Sequence, residues 1–182
     1  AHERSVTLAA PVDGAFTKAT LLGAGTSSAK LNAAATLPTR TTPAVTSALR
    51  PLGDSGRILA ALREAESLAA ALDDPRRLGH VSRFLSLHYY IMGMHDQAIT
   101  AAQCALALAT ASGDVVLQAL ANQHLGLASR AQGDYRQAIN CLGQTMASLD
   151  GARRGERFGQ VFLPAVQSCA WLAVCHAELG TF

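Results

Sequence analysis

The stretch Ala131-Gln-Gly-Asp-Tyr-Arg-Gln-Ala-Ile-Asn-Cys-Leu142 decides the fold, because its pattern occurs 40 residues earlier as Ile91-Met-Gly-Met-His-Asp-Gln-Ala-Ile-Thr-Ala-Ala102. Gly53 stands another 40 residues upstream, and Glu178-Leu-Gly-Thr-Phe182 repeats the turn 47 residues after Gly133. Self-similarity at a fixed spacing is typical of repeat proteins. The sequence therefore predicts an array of similar units.

Apolar residues flank each glycine at helical spacing. One stripe after the third glycine is at i, i+3, i+4, i+7, i+11 and i+14, and it comprises Tyr135, Ala138, Ile139, Leu142, Met146 and Leu149. The same places in the preceding unit hold His95, Ala98, Ile99, Ala102, Leu106 and Ala109. A further stripe precedes the glycine turn and comprises Leu117, Ala121, His124, Leu125 and Ala128. Each unit is thus a helix, a tight turn and a second helix.

Helix pairs of this kind bury their apolar faces only by stacking on their neighbours, which predicts an all-α fold, an α-solenoid of antiparallel pairs. Asp114 and Asp134 are placed to act as N-caps, and Pro75 after Asp74 is tolerated in a first helical turn. The predicted pairs are 42–51 with 55–72, 75–92 with 95–111, and 114–131 with 135–149. A lone final helix is expected near 160–178.

Composition supports a helical protein without a strong electrostatic field. Of the 182 residues 49% are hydrophobic, and 36 Ala and 25 Leu make up a third of the chain. Both residue types favour helices. The 15 basic residues nearly balance the 13 acidic ones, so we expect neither a nucleic-acid partner nor a membrane surface.

The chain divides into two parts by composition. Residues 1–41 are rich in Ala, Thr and Ser, contain Pro11, Gly14 and Pro38, and are expected to be a poorly ordered or loosely helical leader. Residues 42–182 are the predicted repeat domain, with a truncated last repeat. Because the first residue is Ala and no secretory signal pattern is present, we expect a cytoplasmic fragment of a longer protein.

The repeat units resemble the tetratricopeptide repeat (TPR). The resemblance rests on Leu125-Gly126, the turn Gly133-Asp134-Tyr135 and Ala138, with Leu85-Ser86, Gly93 and Ala98 one unit earlier and Leu172-Ala173 in the last unit. The period of 40 exceeds the family's usual 34, which indicates longer helices. The resemblance implies a non-catalytic scaffold that binds a peptide or a partner domain.

Residues 52–182 are also similar to the long-period repeat regions of bacterial signalling proteins that join a class III adenylate/guanylate cyclase to an ATPase module. The similar stretches include Leu52-Gly-Asp-Ser-Gly-Arg-Ile-Leu59, Asp74-Pro-Arg-Arg-Leu-Gly79 and Ala170-Trp-Leu-Ala173. This similarity implies a regulatory role in a larger protein. The chain holds none of the cyclase or nucleotide-binding motifs, so neither activity carries over.

The concave surface of the solenoid, which the first helix of each unit lines, is the predicted partner-binding site. Its candidate residues by helical register are His80, Arg83, Tyr90, Gln123, Leu127, Arg130 and Gln167, with Val174 beside them. The arginines could bind a carboxylate through two hydrogen bonds. The same residues are also what a solvated helix face carries, and the sequence leaves both interpretations open.

No cofactor or metal site is expected. The chain lacks a phosphate-binding Gly-x-x-x-x-Gly-Lys-Ser/Thr run, and none of the six His forms a pair three or four residues apart. The four Cys lack a Cys-x-x-Cys pair, and Cys104 and Cys141 are expected in the core. A small α-helical enzyme that uses Cys and His remains the alternative, and it requires one of each within hydrogen-bonding distance.

Two further features have two interpretations each. Trp171 either packs between repeats or stacks on a ligand, and packing is favoured. The cluster Arg153-Arg154-Gly-Glu-Arg157 is either a solvated loop, which is favoured, or a site for an acidic partner. Because the final helix lacks a second helix and a polar cap, either self-association through this end or fraying of this end is also expected.

The division of the chain predicts the behaviour of a shortened protein. Residues 42–182 should retain nearly all the helix of residues 1–182 and melt at the same temperature, because the leader contributes no core. Circular dichroism with thermal melting of the two proteins measures this. A loss of helix in the shorter protein would instead show that residues 1–41 cap the array.

Overall fold

A computed structural model describes residues 55–181, which form six α-helices and one short 3-10 helix but no strand. The α-helices are α1 (Ser55–Ala71), α2 (Pro75–Ile91), α3 (His95–Ser112), α4 (Val115–Ala131), α5 (Tyr135–Ser148) and α6 (Pro164–Glu178), and the 3-10 helix spans Gly151–Gly155. The predicted all-α repeat architecture is confirmed. The predicted helix at 42–51 and the leader lie outside the described residues.

Turns of two or three residues separate the first five helices. Gly93, Gly113 and Gly133 have φ angles of 76°, 67° and 83°, and Asp73 adopts φ of 49° at the corresponding place. Only glycine adopts this left-handed conformation without steric cost. The reversal is complete within so few residues that consecutive helices must run antiparallel.

Aspartate begins three of the helices, as the sequence predicts. The side chains of Asp74, Asp114 and Asp134 accept hydrogen bonds from backbone N–H groups in the first turns of α2, α4 and α5, at 2.9, 3.0 and 3.0 Å. These bonds satisfy donors that a helix start leaves without an intrahelical partner. Pro75 occupies the start of α2 as expected.

The stack of helices has two sides, which differ in how closely their successive helices approach. Each α-helix packs on the next one in the chain, and α2 also contacts α4, as α4 contacts α6. Among the described residues no such close approach of backbones joins α1 to α3 or α3 to α5. The row of α2, α4 and α6 is therefore the tighter side of a curved array, and we call it the inner row.

Small residues set the distance between neighbouring helices. A Cβ atom added at Gly126 would stand 2.8 Å from Cγ of Leu142 on α5, and one at Gly79 would stand 2.9 Å from Cδ2 of Leu117 on α4. Ala98 and Ala138 on the facing helices are fully buried. The pair Leu125-Gly126, on which the TPR resemblance partly rests, is thus a site of close helix approach.

The last helix begins later than predicted. It starts at Pro164 rather than near residue 160, because Phe158 and Gly159 both adopt positive φ and Pro164 then occupies the first helical turn. The chain between Ser148 and Pro164 contains the 3-10 helix, whose residues are exposed. The other described helix bounds agree with the prediction to within one residue.

Two glycine substitutions test the close approach. Gly126→Ala should destabilise the protein, because overpacking costs about 1–3 kcal/mol, whereas the gain in helix propensity returns only about 1 kcal/mol. Gly143→Ala on α5 is the matched control, since no atom lies within 4 Å of its Cβ position; it should stabilise the protein. Urea unfolding monitored by circular dichroism measures both, and equal effects would contradict the packing argument.

Candidate functional site

The structure places all seven predicted partner-binding residues on the inner row. His80, Arg83 and Tyr90 lie on α2, Gln123, Leu127 and Arg130 on α4, and Gln167 on α6. Four of them, His80, Tyr90, Arg130 and Gln167, are half-buried. These four form the accessible part of the candidate site, and Val174 beside them is exposed.

Three of the seven predicted residues are buried rather than accessible. Arg83, Gln123 and Leu127 are only 3%, 0% and 4% exposed. The physical reason is the contact between successive inner helices, which closes over the middle of α2 and α4. Helical register shows that these residues face the inner side, but not how closely the next helix approaches.

Gln123 is held in a network of side-chain amides. Its Nε2 donates to Oε1 of Gln167 at 2.9 Å and to the carbonyl of Pro164 at 3.3 Å, and its Oε1 accepts from Nε2 of Gln160 at 3.1 Å. A buried amide is stable only with such partners. The network holds the start of α6 against α4. Gln123 and Gln167 therefore have a structural role.

Arg83 is a buried cation without a matching acceptor. Its guanidinium carbon lies 4.1 Å from the centroid of the Phe84 ring, and its Nε and Nη1 atoms have no hydrogen-bond partner. Burial lowers the pKa of Arg83 to about 10. At neutral pH the side chain remains charged, so α2 carries two unsatisfied donors of a cation inside the array.

Arg130 connects all three inner helices. Its Nη2 donates to the hydroxyl of Tyr90 on α2 at 3.3 Å, and its guanidinium carbon lies 4.0 Å from the Trp171 ring centroid on α6. Its Nε is buried without a hydrogen-bond partner. The planar cation is therefore oriented by an aromatic face and a hydroxyl, while one donor stays unsatisfied.

The sequence interpretation did not identify Phe84 and Trp171 as faces for the arginines. Trp171 does pack as expected, against Ala138, Leu142 and Cys175. A signal was present, since Tyr90, Arg130 and Trp171 follow one another at spacings of 40 and 41 residues, close to one repeat period. Residues one period apart on the first helices meet across the inner row.

His80 lies beside the buried arginine. Burial is the main cause that lowers the pKa of His80, followed by the positive charge of Arg83. The imidazole of His80 is therefore neutral near pH 7, so it is an uncharged hydrogen-bonding group on the inner row. The positive character of the site comes from Arg83 and Arg130.

Of the two thiols predicted in the core, one is buried and one is exposed. Cys141 is buried as predicted, and burial raises the pKa of its thiol to about 11. Cys104 is exposed, so its predicted place in the core is wrong; the buried stripe of α3 contains Ala98, Ala102, Ala105 and Ala109 instead. Burial also raises the pKa of Cys175, which leaves both buried thiols protonated at neutral pH.

The geometry of residues 55–181 bears on catalysis by Cys and His, on metal binding and on membrane insertion. Within that range the thiols of Cys104 and Cys141 contact Ser82 at 3.7 Å and Gln137 at 3.5 Å. No group of three His, Cys, Asp or Glu side chains gathers in this range. Nor does any described helix have the length and apolar character needed to cross a bilayer.

Comparison with known proteins supports the repeat assignment. A family model described as tetratricopeptide repeat matches residues 77–150, the segment from the first turn of α2 to just beyond α5. The match supports a TPR protein, and TPR repeats generally mediate protein–protein interaction. A search of curated proteins finds no match, and none of the comparisons supports the similarity to cyclase–ATPase signalling proteins.

Replacement of the unsatisfied cation should stabilise the protein. Arg83→Met removes two buried donors without partners and keeps an unbranched apolar stem, so the free energy of unfolding should rise by about 1–2 kcal/mol after the lost contact with Phe84 is counted. Arg136→Met on the exposed face of α5 is the control and should change it by less than about 0.5 kcal/mol. Thermal and urea unfolding measure both, and a destabilised Arg83→Met would contradict the assignment.

Proposed function

We propose that the protein is a non-catalytic scaffold whose inner row binds a carboxylate-bearing segment of a partner protein. The observation that carries the proposal is the pair of inner-row arginines, Arg83 and Arg130, whose buried donors lack acceptors. Neither arginine forms an ion pair within the described part of the chain. A carboxylate supplies the missing acceptors and the missing charge.

Arg130 is the first contact in this proposal. It is half-buried, its guanidinium is oriented by Tyr90 and Trp171, and its Nε is buried without a hydrogen-bond partner. A pre-oriented cation loses little freedom when a ligand binds. Arg83 lies deeper and is reached only when the inner helices separate locally, so it adds affinity at the cost of a small opening.

We further propose that the array transmits partner binding to an attached domain. A stiff stack in which Arg130 touches three helices couples a ligand at the inner row to the packing of α2, α4 and α6. The sequence resemblance favours a regulatory role in a larger bacterial signalling protein. It rests on that resemblance alone.

Selection from a random-peptide phage library tests the binding site without a known partner. The protein of 182 residues is immobilised, and we expect enrichment of peptides that carry Asp, Glu or a free C-terminal carboxylate. Arg130→Met and Arg83→Met should each lose this enrichment, while Arg136→Met on α5 should retain it. Circular dichroism of each variant verifies that the fold is kept.

Three results would contradict the proposal. The first is the absence of any enriched peptide, and the second is a consensus without acidic groups. The third is an acidic consensus that Arg130→Met and Arg83→Met both leave unchanged, because the ligand would then bind elsewhere. Affinity of a selected peptide for the wild-type protein should also fall with increasing salt, as expected of a charged contact.

A further inference from the structure

The turn between α2 and α3 carries three large apolar side chains at exposed positions. Ile91, Met92 and Met94 are 49%, 46% and 43% exposed. Gly93 between them has positive φ, and no atom lies within 4 Å of its Cβ position. Single exposed apolar residues are ordinary on a protein surface, whereas neighbouring ones mark a site of association. We call Ile91, Met92 and Met94 the turn patch.

The next turn of the array shows that the backbone does not require these residues. Forty residues later, Ala131, Gln132 and Asp134 occupy the same three places. The glycines of the two turns have similar φ angles, 76° at Gly93 and 83° at Gly133. One turn geometry is therefore formed with one small and two polar residues as well as with three large apolar ones.

Methionine at the start of α3 also lacks the stabilising contact that the other turns have. Met94 begins the helix without a side-chain hydrogen bond, whereas Asp74, Asp114 and Asp134 each accept one at the starts of α2, α4 and α5. Loss of such a cap destabilises a helix. The stability of the array therefore does not account for methionine at this place.

The turn patch is continuous with the accessible part of the inner row. Ile91 follows His80 by eleven residues, or three helical turns, so both lie on the same face of α2. Tyr90, directly before Ile91, accepts the hydrogen bond from Arg130 on α4. Its ring centroid also lies 6.1 Å from that of His95, directly after the patch. The oriented cation and the apolar turn thus meet at one tyrosine.

We infer that the turn patch binds a large apolar side chain of the same partner segment whose carboxylate binds Arg130. The inference rests on the proposed function and adds the chemistry of a second ligand residue, such as Leu, Ile, Met or Phe. Charge complementarity at Arg130 selects the acidic group. Unbranched methionine side chains adapt to an apolar partner of varied shape. Burial of exposed apolar surface then supplies affinity that a charged contact alone does not.

The consensus of peptides selected on the protein of 182 residues is the first test. Enriched peptides should carry a large apolar residue at a fixed distance from the acidic one. Selection on the double variant Met92→Gln/Met94→Asn should retain the acidic residue and lose the apolar preference. An acidic consensus without an apolar residue would overturn this inference and leave the proposed function standing, whereas absence of any acidic consensus would contradict both.

The variant Met94→Asn separates binding from folding. Asparagine is uncharged, so it does not repel an acidic peptide, and it accepts the cap hydrogen bond that methionine cannot. The variant should raise the dissociation constant of a selected peptide at least fivefold and raise the midpoint of urea unfolding. Fluorescence anisotropy and circular dichroism measure the two effects.

Val115→Ala is the matched control for this variant. Val115 is 43% exposed at the first residue of α4, at the opposite end of the inner row from the turn patch. Its replacement removes a similarly exposed apolar side chain and should leave the dissociation constant unchanged. A Met94→Asn protein that is more stable but binds the peptide as tightly as the wild type would overturn the inference.

Nuclear magnetic resonance of isotope-labelled methionine methyl groups locates the contact. The chain has three methionines, and the third, Met146, is half-buried on α5 and serves as the internal reference. A selected peptide should shift the signals of Met92 and Met94 and leave that of Met146 in place. In the free protein a soluble paramagnetic chelate should broaden the same two signals. Their protection at every concentration would show that another segment of the chain covers the patch, and protection only at high concentration would show that a second copy does; either result overturns the inference.

Discussion

The antiparallel stacking of α1 to α5 depends on turns in which one residue adopts a left-handed backbone conformation. Gly93, Gly113 and Gly133 reverse the chain within two or three residues, and an aspartate begins the next helix after two of them. Because each reversal is so short, each of the helices α2 to α5 packs against the helix before it. The positions of α2 and α4 in the inner row follow from this constraint.

The inner row combines stabilising and destabilising polar groups. Gln123 is fully buried, yet its amide is satisfied by Gln167, Gln160 and the carbonyl of Pro164. Arg83 is buried nearly as deeply without such partners. A core selected for stability alone would not retain an unsatisfied cation. Arg83 and Gln123 lie one period apart, at equivalent places in successive repeats. The same place thus holds a buried amide with partners in one unit and a buried cation without them in the other.

Much of the fold could be predicted from the sequence, because turns and caps are local. The spacing of Gly93 and Gly133 and the aspartates after the turns predicted helix bounds to within one residue for α2 to α5. The start of α6 could not be predicted, since it depends on positive φ at Phe158 as well as on Pro164. The burial of Arg83 and the exposure of Cys104 depend on how closely neighbouring helices approach, which a helical register does not contain.

Contacts in the array stay close in sequence, and this determines how the chain folds. The side-chain contacts across the inner row join residues about one repeat apart, as between Tyr90 and Arg130 or Gln123 and Pro164. A fold without distant contacts has little loop-closure entropy to overcome, which favours rapid folding. Order can start at any helix pair and spread to its neighbours in either direction. Helix α6 follows the longest described connection and contacts α5 and α4 alone among the described α-helices. Its docking therefore carries the largest loop-closure cost among the described helices.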